Sequence, residues 1–156
     1  ANASAGLFEL NENDKALTLL NRSVNLKRRL HIIDALNATW EFELSLALVK
    51  LGRSQFTLKK FDDAFVSFDD ARDRMQNLLN RDPANALRRW MLVDCVMTMA
   101  VAARQKGDHK AARAYATQGI AVIDGLVEID ATDVIVGWIK EMKGKAQAFI
   151  AALPAE

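Results

Sequence analysis

Residues that interrupt helices are scarce in this sequence. It contains seven glycines and two prolines in 156 residues, and Pro154 lies close to the C-terminus. Tight turns between strands depend on such residues, whereas long helices exclude them. The scarcity therefore predicts an all-α protein.

Cysteine and excess charge are also lacking. The single cysteine, Cys95, excludes an intrachain disulfide and a cysteine-based zinc cluster. Lys and Arg number 21 against 20 Asp and Glu, which leaves no overall charge to attract nucleic acid or an anionic membrane. No apolar run reaches the roughly 18 residues of a membrane span, and the N-terminus has no signal-peptide pattern. We therefore expect no nucleic-acid or membrane partner, and the cytoplasm is the simplest compartment.

Residue patterns that support catalysis or metal binding are missing as well. Neither His31 nor His109 has Cys, His, Asp or Glu at metal-ligand spacing. The carboxylates of Asp62-Asp63 and Asp69-Asp70 are adjacent on a helix and point about 100° apart, so they do not face one another across a substrate. No glycine-rich phosphate loop occurs. We therefore predict no enzymatic activity, no metal and no cofactor.

A recurring spacing is what the sequence does contain. The segments Asp34–Asn37, Asp82–Asn85 and Asp130–Asp133 recur at equal intervals, with a period of about 48 residues. A second marker, with the sequences NDKA, FDDA and DHKA, ends at Ala16, Ala64 and Ala111, at the same interval to within one position. Two markers that share one period predict a repeated structural unit.

Each unit contains two helical patterns. The second lies between Phe61 and Leu79, where apolar residues recur at steps of three and four and acidic residues occupy the other side. The first runs from about Asn37 to Leu58 and from about Asn85 to Lys106, with a last example at about 133–152. These first helices are apolar around most of their circumference, as expected for helices that pack against neighbours on both sides.

The recurring joints contain residues that end one helix and begin the next. Pro83 disfavours helical geometry at Asp82 and cannot donate a hydrogen bond to the preceding turn. Asn37, Asn85 and Asp133 are placed to accept hydrogen bonds from the free N–H groups of the helix that follows. We therefore expect each of these three residues to cap a helix.

The best-preserved unit resembles the tetratricopeptide repeat. That family has a Leu-Gly pair in its first helix, a small residue 12 positions after the glycine, an aromatic residue four later and a small residue three beyond. Here the matching residues are Leu51-Gly52, Ala64, Phe68 and Ala71.

The other copies match this pattern in part. In the next unit the corresponding residues are Met99 or Ala100 for the glycine, Ala111, Tyr115 and, for the second small residue, Gln118. The stretch Leu7–Ser23 resembles the turn of an earlier copy, and residues 1–12 are expected to hold the tail of its first helix.

The resemblance implies a right-handed solenoid of helical hairpins with about six helices. The family's usual period is about 34 residues, so each unit here is longer by about 14 residues, or about four helical turns. The long period is similar to repeat arrays in large bacterial multidomain signalling proteins. We divide the single domain 1–156 into a partial unit 1–36, units 37–84 and 85–132 and a terminal helix 133–153, and expect a fragment of a longer protein.

The resemblance also implies a binding face. Tetratricopeptide arrays generally bind partners on the concave face formed by the first helices. The matching positions are Leu46, Val49, Arg53, Phe56 and Thr57 in one helix, Asp94, Met97, Val101, Arg104 and Gln105 in the next, and Met142, Lys145 and Phe149 in the last. Leu46, Val49 and Val101 are expected to pack in the core. The predicted partner-binding residues are Arg53, Phe56, Thr57, Asp94, Met97, Arg104, Gln105 and Lys145.

The function that this face implies is non-catalytic binding of a peptide or a partner protein. Arg53, Arg104 and Lys145 would receive an acidic peptide or a chain carboxylate. Two alternatives stay open. The chain could be a homo-oligomerisation domain whose terminal half-units pair with another copy, or a sensor that holds a small molecule near Trp90 and Trp138.

Overall fold

The protein is helical throughout the part of the chain that the structure describes. A computed structural model describes the backbone of residues 3–125 and 134–155 and the side chains of 13–125, 134 and 136–155. Its helices are α1 (Ala3–Ile33), α2 (Ala38–Thr57), α3 (Phe61–Arg81), α4 (Ala86–Gln105), α5 (His109–Asp124) and α6 (Val134–Ala151). No strand occurs within these ranges, so the prediction of an all-α protein with about six helices is confirmed. None of the described helices is long and apolar enough to cross a membrane.

The chain divides into two compact units, Ala1–Arg74 and Met75–Glu156, with the division inside α3. In the first unit α1 packs on α2. The first part of α3 also packs on α2, where the Phe68 ring lies against Gly52. In the second unit α4 packs on α5 and α6, and α5 packs on α6.

Each unit has its own buried apolar residues. In the first unit Leu44 and Leu48 of α2 are buried together with Val24 of α1 and Phe68 of α3. In the second unit a cluster joins all three helices and contains Ala86, Val93, Ile123, Val136 and Ile139. The apolar stripes of the helices are therefore the surfaces by which they pack, as their spacing predicts.

The starts of α2 and α4 have the same capping geometry. Asn37 and Asn85 have extended backbones, with φ −69° and ψ 99° and with φ −74° and ψ 96°. The side-chain oxygen of each accepts a hydrogen bond from the N–H three residues later, that of Trp40 at 3.1 Å and that of Arg88 at 3.0 Å. The prediction that these two asparagines cap helices is confirmed, and Asp133 lies outside the described residues.

The turns inside the two hairpins repeat with the same period. Lys59 in the α2–α3 turn and Gly107 in the α4–α5 turn both have positive φ, 59° and 86°. In both turns the next residue donates its N–H to the carbonyl five residues back at 2.9 Å. The backbone of the α2–α3 hairpin and that of the α4–α5 hairpin therefore correspond position by position, one period apart.

This correspondence shifts one residue of the second hairpin that was matched to the tetratricopeptide pattern by one position. The N–H of Ala64 donates to the carbonyl of Lys60 and that of Ala112 to the carbonyl of Asp108, both at 3.0 Å. Ala112, which is buried, therefore takes the place of Ala64, and the match to the half-buried Ala111 is wrong. Two adjacent alanines have the same letter, so only their burial distinguishes them.

The shift restores a small residue to the pattern of α5. With Ala112 in the place of Ala64, the next two positions of the pattern are the buried residues Ala116 and Gly119, and not Tyr115 and Gln118. A Cβ on Gly119 would lie 3.3 Å from the sulfur of Met97 on α4, which is a tight contact, so a small residue favours the close approach of these helices.

α1 is continuous where the sequence comparison expected a turn. It runs without interruption from Ala3 to Ile33, so the prediction of a turn within Leu7–Ser23 is wrong. Asn11, the counterpart of Lys59 and Gly107, is helical. Asn11 is neither glycine nor proline, so nothing at this position interrupts the helix. Helix propagation is then the favourable course.

Replacing Asn85 by alanine is expected to lower the free energy of unfolding by about 1 kcal/mol, because the N–H of Arg88 loses its acceptor. Asn37→Ala should cost about the same amount, since the cap is the same. Urea unfolding followed by circular dichroism measures both. Asn85→Ser, which retains a capping oxygen, is the control. A loss as large for serine as for alanine would show that capping is not the cause.

Candidate partner-binding surface

The predicted binding residues of the second unit lie on α4 and α6, which are in contact. The guanidinium of Arg104 on α4 lies over the ring of Phe149 on α6, with Cζ 4.6 Å from the ring centroid. Arg104 is exposed and Phe149 is half-buried. Contact with a ring face holds the guanidinium in place and leaves its in-plane N–H groups able to bind a carboxylate. This pair is the centre of the candidate surface.

Gln105 is the last residue of α4, Lys145 lies on α6 four residues before Phe149, and both are exposed. The ammonium of Lys145 lies 2.8 Å from Oε1 of Glu141, one turn earlier on α6. The hydrogen bond from Lys145, and then its charge, hold the pKa of the Glu141 carboxyl below its ordinary value. Such an exposed ion pair exchanges partners at little cost, so Lys145 can turn to an incoming carboxylate.

The other two predicted residues of α4 are less accessible. Met97 is half-buried and packs against the apolar cluster of the second unit. Its sulfur also faces Gly119 of α5. Asp94 is half-buried as well. Met97 therefore stabilises the contact of α4 with α5 and offers only part of its side chain to a partner.

The predicted residues of the first unit lie on the last two turns of α2. Arg53 and Thr57 are exposed, and the Thr57 hydroxyl donates to the carbonyl of Arg53 at 3.0 Å. The Phe56 ring packs on Phe61 across the hairpin turn, with ring centroids 5.0 Å apart. Phe56 therefore stabilises the α2–α3 hairpin.

The three residues of the binding face that are expected to pack in the core are buried to different degrees. Val49 is buried, whereas Leu46 and Val101 are half-buried. The expectation is confirmed for Val49. The exposed edges of the other two add apolar surface beside the polar positions of the face.

Two residues of the second unit, Phe149 and Arg89, are not among the predicted partner-binding residues. Phe149 was placed on the face but not in the binding set, although it stands four residues after Lys145 and so on the same side of α6. Arg89 is a charged residue in an apolar helix, and the sequence pattern alone does not identify the groups that it binds. It is 4% exposed and donates to the carbonyls of Val122 at 2.6 Å and Pro83 at 2.9 Å.

Burial of Arg89 has an electrostatic consequence. Removal from water lowers the pKa of its guanidinium from the ordinary value. Its Nε is also buried without a hydrogen-bond partner. The two carbonyls are what compensate the buried charge, and they fix α4 against the end of α5 and against the turn before α4.

Trp90 and Trp138, near which a small ligand was considered, contact one another. Their ring centroids are 6.1 Å apart and the rings are tilted by 53°. Trp90 also packs against the apolar cluster of the second unit. A ligand between these helices would have to displace the ring contact, so no observation here favours the sensor.

Within the residues that the structure describes, no group of three or more His, Cys, Asp or Glu side chains could hold a metal ion. Cys95 is buried, as its apolar surroundings predict. No family model, curated protein or solved structure matches the chain. What is proposed of its function therefore depends on the geometry of its own residues.

Proposed function

We propose that the chain is a non-catalytic, tetratricopeptide-like interaction module that binds an acidic peptide, or the terminal carboxylate of a protein partner, on α4 and α6. The binding residues are Arg104, Gln105, Lys145 and Phe149, which we term the basic surface. The observation that carries the proposal is the exposed guanidinium of Arg104 held 4.6 Å from the Phe149 ring.

The chemistry of the basic surface fits a carboxylate. Arg104 offers parallel N–H groups for a bidentate contact, Lys145 a mobile second cation and Gln105 an amide donor. Asp94 precedes Arg104 by ten residues on α4, about 15 Å along the helix. On α4 the acidic position is thus well separated from Arg104, which gives this helix a polarity that orients a bound peptide.

The repeat supports the same proposal. The caps of α2 and α4 and the turns of the two hairpins correspond one period apart, as in an array built from one kind of hairpin. Arrays of this kind present successive first helices to a partner, and α2, α4 and α6 are the first helices here. Arg53 and Thr57 on α2 provide the corresponding exposed polar positions of the first unit.

Charge reversal at Arg104 is expected to weaken peptide binding at least about tenfold, because the main carboxylate contact becomes repulsive. A peptide selected from a randomised display library against the wild-type protein serves as the probe. Its Kd is measured by fluorescence anisotropy with Arg104→Glu. Affinity should also fall as salt is raised, since the contact is exposed.

Lys110→Glu is the matched control, because Lys110 is an exposed cation on α5 that lies outside the basic surface. The Lys110→Glu variant should bind the peptide with the same affinity as the wild type. Arg104→Lys keeps the charge but loses the planar fork, and should fall between wild type and Arg104→Glu. Equal affinities for all four proteins would remove the basic surface from consideration.

A further inference from the structure

Five positions that are buried in two first helices are exposed in the third. In α2 they are Glu41, Ser45, Leu48, Gly52 and Gln55, and in α4, one period later, Arg89, Val93, Val96, Ala100 and Ala103, all buried. In α6 they are Gly137, Glu141, Gly144, Ala148 and Ala151, all exposed. A Cβ on Gly137 or Gly144 would meet nothing within 4 Å. α6 thus presents to solvent the face by which α2 and α4 pack.

α1 presents the matching face of a second helix. It buries Leu17 and Val24, while Leu19 is 66% exposed, Leu26 52% and Leu30 40%. These three leucines recur at helical spacing on a different side of α1 from the two buried residues. Large apolar side chains aligned on one exposed face indicate a surface that another element covers.

The counterparts of these leucines face a first helix in the later hairpins. Ser67, one period after Leu19, donates its hydroxyl to Gln55 of α2 at 2.7 Å. Val122, two periods after Leu26, accepts from Arg89 of α4 through its carbonyl at 2.6 Å. The position of Leu19 therefore lies on the face that α3 turns toward its first helix, and the position of Leu26 lies at a backbone contact of α5 with its first helix.

The two open faces are complementary in size. In the first unit the large Phe68 of α3 packs on the small Gly52 of α2. The three contacts Gly52–Phe68, Gln55–Ser67 and Arg89–Val122 can be shifted by whole periods onto α6 and α1. The shifted pairs are Ala148 with Leu20, Ala151 with Leu19 and Gly137 with Leu26. Each pair places a leucine on a glycine or an alanine. Beside Ala151 there is also a shallow, open surface depression, lined by Arg113, Ile150, Ala151, Leu153 and Ala155.

The two faces are complementary in charge as well. Arg28 of α1 pairs with Asp70 of α3 at 2.9 Å, which links two successive second helices. Two periods after Arg28 stands Asp124 of α5, and one period before Asp70 stands Arg22 of α1; both are exposed. An α1 helix docked on α6 would therefore place Arg22 opposite Asp124. The Arg28–Asp70 contact would be reproduced with its charges exchanged, and Arg22 would share Asp124 with Lys143 of α6, which already pairs with that carboxylate.

We propose that a second copy of this chain covers α6: α1 of one copy docks on α6 of another as the second helix of a hairpin. The contact joins two different surfaces, so it is heterologous and leaves one α1 and one α6 open at the ends of the assembly. Oligomers therefore grow with protein concentration. This self-association goes beyond the proposed peptide binding. On α6 it uses the side that contains Gly137, Gly144 and Ala148, and this side adjoins the basic surface where Glu141 pairs with Lys145.

The test uses two exposed positions, so that each variant folds. Leu26→Glu places a charge on the α1 face and Ala148→Glu places one on the α6 face, and circular dichroism checks both folds. Light scattering coupled to size exclusion should give a mass that rises with concentration for the wild type and monomers for both variants. Ile32→Glu, at an exposed apolar residue of α1 away from the leucine face, should associate like the wild type.

Mixing the two variants is the decisive arm. Leu26→Glu retains an intact α6 and Ala148→Glu an intact α1, so their mixture should form a dimer that does not grow further. A wild-type chain that stays monomeric at all concentrations would overturn the proposal, since another occupant must then cover α6. Persistent association of either variant alone would overturn it in favour of pairing between identical faces. A mixture that stays monomeric would overturn it as well, because the intact α1 and the intact α6 would then not dock on each other.

Discussion

Replacing Gly52 by alanine is expected to lower the free energy of unfolding by about 1–3 kcal/mol, although alanine favours a helix interior over glycine by roughly 1 kcal/mol. A Cβ at this position would lie 2.6 Å from Cε1 of Phe68 and 3.1 Å from the carbonyl oxygen of Ala64. Phe68 is 1% exposed, so its ring cannot move away from the added Cβ without disturbing the residues packed around it. α2 and α3 would have to separate.

Urea unfolding followed by circular dichroism measures this effect, with Gly144→Ala as the matched control. Gly144 is also a helix-interior glycine, but a Cβ there meets nothing within 4 Å. The control should therefore gain about 0.5–1 kcal/mol from helix propensity alone. Adding Phe68→Leu to Gly52→Ala should recover part of the loss, because leucine lacks the ring atom Cε1 that lies closest to the added Cβ. Gains at both glycines would mean that α2 and α3 are not in this close contact.

Removal of Arg89 should have the larger effect, a loss of about 2–4 kcal/mol for Arg89→Ala. Hydrogen bonds to charged groups contribute about 1.5–3 kcal/mol each, and Arg89 makes two, to the carbonyls of Val122 and Pro83. The desolvation of the buried guanidinium offsets part of that sum. For a chain of this size the melting temperature should fall by about 6–12 °C.

Two further variants distinguish what the charge, the planar guanidinium and the volume of Arg89 each contribute to stability. Arg89→Lys keeps the charge but has no planar fork to reach both carbonyls, and should recover about half of the loss. Arg89→Met fills the volume without donors, and should remain less stable than lysine. A methionine variant as stable as the wild type would show that the two hydrogen bonds only balance the desolvation of the guanidinium. Scanning calorimetry on all three variants gives the order.

The joints of the fold could be predicted from the sequence because their chemistry is local. Asn37 and Asn85 cap helices through an N–H only three residues away, and Pro83 acts on the residue beside it. The continuous α1 could not be predicted in this way. Whether a hairpin forms near Asn11 depends on an earlier helix to close on, and that is a property of neighbours distant in the chain.

In the candidate site, too, features that depend on one helix could be predicted and contacts between helices could not. The helical spacing placed Arg104 and Lys145 on the predicted face, but the contact of Arg104 with Phe149 joins residues of two different helices that are far apart in the chain. Spacing along one helix contains no information on such a contact. Burial of Arg89 is similar, since its acceptor Val122 is 33 residues away. A charged residue inside an apolar helix was the one available indication that it has a buried partner.

Binding of a carboxylate by the basic surface is tested most directly by NMR titration of the ¹⁵N-labelled chain with the selected peptide. The amide signals of Arg104, Gln105, Lys145 and Phe149, together with the Nε–H signal of Arg104, are predicted to shift most and to saturate together. Binding of the peptide with its largest shifts on α1 or α5, and with the Arg104 Nε–H signal unmoved, would contradict the proposed function.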